Sequence, residues 1–133
     1  MTFRVSLIEA PTWARRPRVD LEGVSETELA AIQLHRAALI ASVQSAVEQW
    51  LRDVDESALF PNRAKLEGSF YVGDELYERG EEGSIRISIF CRCLERPKPG
   101  SEREDDYLGL EVWLNYVEGS ATFEVSDIDS SSI

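Results

Sequence analysis

The residue types that most often do chemistry are scarce here. His35 is the single histidine, and Cys91 and Cys93 are the only cysteines. One histidine excludes zinc sites built from histidine clusters and catalysis by histidine pairs. No nucleophile-elbow sequence supports a Ser–His–Asp or Cys–His arrangement around it. Redox and zinc motifs space their cysteines differently and use a second pair. In a strand, Cys91 and Cys93 share a face and extend the row Ile85, Ile87, Ile89, so they read as core packing. Asp127, Asp129 and the run Glu102, Glu104, Asp105, Asp106 lack calcium-loop spacing, and a hard cation needs several oxygens converging at fixed distance. They read as solvated charge. No metal and no cofactor is expected.

Arg36 is different. Counted at 100° per residue, it falls between Leu29 and Ile32 in the middle of an apolar helical stripe. An unpaired charge there would be very costly. Either Arg36 snorkels or pairs with a strand carboxylate, or helix and sheet splay and Arg36 enters a pocket for an anionic ligand, with His35 or Tyr116 nearby. The second candidate is a sheet face. With the alternation read below, Tyr71, Arg86, Phe90, Arg92, Glu111, Trp113 and Glu124 lie on the face away from the helix. Aromatic residues mixed with arginine are the composition enriched at interface hot spots. The bland alternative is that residues 11–24 fold over this face, with Trp13 against Trp113 or Phe90.

Regular elements must place these side chains. Phe3 to Ile8 alternates as a half-buried strand. Residues 11–24 form a long connection with two prolines and three arginines. Ser25 and Glu28 have capping-box spacing and open a helix predicted over 25–54, with the stripe Leu29, Ile32, Leu39, Ile40, Val43, Val47, Trp50 and Val54. The period then becomes two. Strands are predicted over 64–72, 84–94, 107–117 and 121–128, with a turn region at 74–83, an exposed loop at 97–106 and a frayed tail at 129–133.

One helix with one apolar stripe needs one sheet face, which predicts a single α+β domain over 1–133. It has two layers, with the helix on a four- to five-stranded, mainly antiparallel sheet in the order β-α-β-β-β-β. This order resembles that of cystatin-like and related α+β roll folds. The resemblance is topological, and no cystatin inhibitory motif is present.

With 133 residues and 43% apolar composition, the chain can fold as one domain without disulfide or metal. No run of apolar residues is long enough to span a membrane. Two cysteines without a disulfide framework suit a reducing cytoplasm. The formal net charge is −11, and residues 101–133 hold nine acidic side chains against one basic. Three arginines at 15, 16 and 18 are a poor footprint for nucleic acid. A basic protein is the better electrostatic match. The expectation is therefore a non-enzymatic, acidic protein-binding domain of the immunity-, antitoxin- or inhibitor-protein kind. Two alternatives stand beside it: a binder or enzyme for an anionic small molecule around Arg36, and a subunit that self-associates through its sheet.

Overall fold

The computed structural model describes residues 6–12, 14, 16–53, 69–81, 83–93, 108–117 and 122–132. The elements run β1 (Ser6–Ile8), β2 (Val19–Glu22), α1 (Glu26–Gln33), α2 (Arg36–Asp53), β3 (Ser69–Arg79), β4 (Ser84–Cys93), β5 (Leu108–Val117) and β6 (Thr122–Ser132). Trp13, the 97–106 loop and the first residues of the predicted strands at 3–8 and 64–72 lie outside the described residues.

The apolar rows read from the sequence form the core. Ile85, Ile87, Ile89 and Cys91 of β4 are fully buried, as are Leu110, Val112 and Leu114 of β5. Against them lie Ile32 of α1 and Leu39, Val43 and Val47 of α2, also fully buried. The sheet order is β1-β3-β4-β5-β6, with β2 also on β3. From β3 to β6 it is an antiparallel meander, each strand paired beside its predecessor. The whole is a two-layer α+β arrangement with the sheet curled into a half-barrel.

Four expectations change. The helix is two helices. Ser25 does cap α1, donating from its backbone to Glu28 and accepting from the Glu28 N–H, each at 3.1 Å. The chain then tightens at Leu34–His35, where the His35 N–H donates to the Ile32 carbonyl at 2.9 Å. No glycine or proline marks the break, which falls between Gln33 and Arg36, two side chains that reach across to β3.

The connection at 11–24 contains an edge strand. β1 runs parallel to β3 along Ser69–Tyr71, and β2 runs parallel to it along Glu75–Glu78. One sheet edge is therefore built twice from the same side. The return is fixed by the Arg18 N–H on the Asp74 carboxylate and the Glu75 N–H on the Arg18 carbonyl, both at 2.9 Å.

The predicted turn at 74–83 is largely strand, since β3 continues to Arg79. A bulge is the reason. Val72 lies opposite Cys91 but Glu75 lies opposite Ile89, so β3 carries one extra residue at Gly73–Asp74. Beyond it the alternation changes phase, and Glu75 and Tyr77 join Phe70 and Val72 on the helix side. Glycine suits this bend, because a Cβ on Gly73 would stand 3.3 Å from the Phe90 carbonyl oxygen. Finally, the expected tail at 129–133 is paired, with Asp129 to Ser132 alongside Glu111 to Leu108.

Candidate functional site

Arg36 occupies the place between Ile32 and Leu39 where the helical stripe calls for an apolar side chain. It is not left unpaired. Nε donates to Glu9 Oε1 at 2.6 Å and Nη1 donates to Gln33 Oε1 at 2.8 Å and Glu75 Oε1 at 3.0 Å. Nη2 donates to Glu9 Oε2 at 3.0 Å and Glu75 Oε2 at 2.9 Å. A guanidinium has five N–H groups, and each one has an acceptor. Glu75 is 5% exposed, whereas Glu9, just beyond β1, is 63% exposed. The Tyr77 hydroxyl completes the cluster, donating to Glu75 Oε1 at 2.5 Å and accepting from Gln33 Nε2 at 3.0 Å.

The electrostatics follow the geometry. Burial, then the Glu75 charge, pushes the Tyr77 phenol well above its ordinary range. Its hydrogen bonds to the Glu9 and Glu75 carboxylates hold the guanidinium charged against the cost of burial. The Arg36 hydrogen bond holds the Glu9 carboxyl below its ordinary 4.5, outweighing partial burial. Glu9 thus adds stability above about pH 4.5 and loses it as pH falls through the lowered folded-state value. Because the pair is half in water, Glu9→Gln should cost no more than about 1 kcal/mol near neutral pH. Urea titrations of both proteins should show that gap closing in acid. A gap independent of pH would mean that the carboxylate charge is not what Glu9 contributes.

A 560 Å³ recess lies beside Arg36, lined by Glu9, Ile40 and Gln44 among others. An anion entering it would have to displace a carboxylate from Arg36. His35 is exposed at the turn between the helices. Cys91 is buried, and its thiol is pushed up to about 12 by burial and then by the Glu75 charge. That keeps it protonated and unreactive at neutral pH.

The face of the sheet away from the helices carries the other candidates. Tyr71 lies opposite Arg92, Phe90 opposite Glu111, and Ser88 opposite Trp113. Cross-strand neighbours have Cβ atoms about 4.5–5.5 Å apart, and aromatic side chains also reach diagonal neighbours. Arg92, Phe90, Glu111 and Trp113 therefore form one continuous patch, and each is half-buried. Tyr71, opposite Arg92 on this face, is only 8% exposed. Arg86 is exposed one row away, between Glu78 and Asn115, and Asn115 separates it from Glu124 of β6. Ser88 lies on this face as the strand alternation places it. Its hydroxyl donates to Glu111 Oε2 at 2.5 Å, which fixes that carboxylate within the patch.

β2 does not cover this face, since it lies in the sheet edge. The partners of Arg36 were missed for a definite reason: Glu75 and Tyr77 sit in the stretch read as a turn. The signal was present in Glu75-Leu76-Tyr77, which alternates, preceded by a glycine that marks a bulge. No helix among the described residues is long and apolar enough to cross a membrane. Comparison with known proteins gives no match to a family model, a curated protein or a solved structure.

Proposed function

We propose that this chain is a non-enzymatic, acidic protein-binding domain that acts on a basic protein partner, in the manner of an immunity, antitoxin or inhibitor protein. The observation that carries the reading is the patch of Phe90, Arg92, Glu111 and Trp113 on a sheet face on which, among the described residues, no helix packs. Planar aromatic and guanidinium groups give large contact area at low entropic cost, and such groups dominate interface energies. Exposed Glu124, Asp127 and Asp129 on the adjoining strand supply the sign of charge that steers a cationic protein. The cystatin-like or α+β roll arrangement belongs to the same proposal, as does a cytoplasmic site of action. An anionic small-molecule ligand at Arg36 is disfavoured, because all the guanidinium donors are taken.

Trp113→Ala and Arg92→Ala should each weaken partner capture at least about tenfold, which corresponds to ~1.4 kcal/mol. Thermal midpoints serve as the control for folding. Capture at the wild-type level by both variants would show that the outer face is the wrong surface.

A further inference from the structure

A further feature lies at the far edge of the sheet. Between α2 and β6 runs an open groove of about 700 Å³. Its wall is made of small side chains on α2, Ala41, Ser45 and Ala46, and ends at Trp50; its floor is Phe123 and Val125 of β6. Val125 is 41% exposed although it faces the helix layer. Among the described residues, no strand pairs with the outer edge of β6.

Residue types on β6 alternate across this edge. Phe123, Val125 and Ile128 turn to the groove, opposite Tyr116, Leu114 and Val112, while Glu124, Asp127 and Asp129 turn to the other face. A chain laid along β6 would alternate likewise, with apolar side chains over the groove and the remainder beside the carboxylates. A second copy of β6 paired antiparallel about a two-fold axis would set both carboxylate rows on one face, which like charges oppose. A bulge adds a further barrier, since Ser126 is the extra residue between Trp113 and Leu114. The Ile128 N–H, just beyond it, is already accepted by Asp127 Oδ1 at 2.8 Å.

We infer that this groove and edge receive an extended segment of the basic partner, in which lysine or arginine alternates with apolar residues. The segment lies along Phe123–Val125 as an added strand, a recognised mode of peptide capture. The small residues at 41, 45 and 46 leave room for its apolar side chains. The inference rests on the reading of a basic protein partner and shares the carboxylates of β6 with it, but its apolar contacts lie in the groove on the face of the sheet opposite Trp113.

The test uses a short fluorescent peptide that alternates lysine and valine, its glutamate–valine counterpart, and the intact protein at low salt. The lysine peptide should bind saturably, with amide shifts concentrated in residues 122–129 and along the facing side of α2. Ser45→Trp fills the groove from an exposed position and should weaken binding at least about tenfold, chiefly through faster release. Val125→Lys, also at an exposed site, should do the same should the first variant fold poorly. Trp113→Ala should bind the peptide normally. Equal binding of both peptides, shifts confined to the Trp113 face, or wild-type binding by both groove variants would overturn the inference. So would concentration-dependent pairing of the protein through β6. In each of those cases Trp113-dependent capture of a natural partner would leave the proposed function standing.

Discussion

Replacing Arg36 by alanine should destabilise the fold by about 3–5 kcal/mol, the usual consequence of stranding one member of a buried ion pair. The cost comes less from the lost pair than from what remains. Among the described residues, Glu75, 5% exposed, would keep only the Tyr77 hydroxyl as side-chain partner, with no counter-ion in reach. The double variant Arg36→Leu, Glu75→Leu removes both charges and places an apolar side chain where the stripe of Ile32, Leu39 and Val43 asks for one. It should lie within about 1–2 kcal/mol of the wild type, since buried ion pairs exchange for packed apolar residues at little cost. Urea unfolding of wild type, both single variants and the double variant gives the coupling directly. A cost below about 1 kcal/mol for Arg36→Ala would mean that water reaches Glu75 and that the cluster is not the anchor of α2 on β3.

Deleting Gly73 and Asp74 together should have the largest effect of all. Two residues of β3 stand opposite Phe90 alone, so removing one would leave a regular ladder in the native phase, whereas removing both slips the rest of β3 by one residue and sends every later side chain to the other face. With both gone, alternation from Val72 would turn Glu75 and Tyr77 outward while Leu76 and Glu78 faced the core. Tyr77 is fully buried, so its loss opens a large hole beside Gln33, and Arg36 loses its inner carboxylate. The combined cost, above about 5 kcal/mol, is comparable to the whole stability of a small domain. The variant should be unfolded or aggregated at room temperature by circular dichroism. A cooperative melt close to that of the wild type would show that the edge formed by β1 and β2, not the bulge, fixes the phase of β3.

Much of the molecule is legible from its residues because its core obeys simple periods. Ile85 to Cys91 and Leu110 to Tyr116 alternate without interruption, and both rows are buried as alternation demands. Ile32, Leu39, Val43 and Val47 repeat at helical spacing, and the Ser25 and Glu28 cap marks where α1 starts. What was hidden lies where a period breaks. The bulge in β3 placed Asp74, Glu75, Glu78 and Arg79 together with two nearby glycines, a composition that reads as a turn. The pairing of β1 and β2 with the same strand is non-local, and no short-range pattern records it. The break at Leu34–His35 has no sequence mark of its own.

The candidate sites divide along the same line. The outer patch is made of strand positions, so alternation alone puts Phe90, Arg92, Glu111 and Trp113 on one face. The Arg36 cluster needed three-dimensional proximity: Glu9, Gln33, Glu75 and Tyr77 come from separate parts of the chain. Arg36 itself stood out as a charge in an apolar stripe. Its two candidate roles, structural pair or ligand site, were separable only by finding where its five donors go.

The central claim is that an acidic domain binds a basic protein, and capture of that partner tests it most directly. Tagged protein would be exposed to lysate of the cell it comes from, washed at low and then at high salt, and the retained species identified and quantified. The account predicts one basic protein in stoichiometric amount, released as salt rises because screening removes the steering charge. Recovery of the tagged protein alone, or of an acidic protein held equally at both salt concentrations, would contradict it.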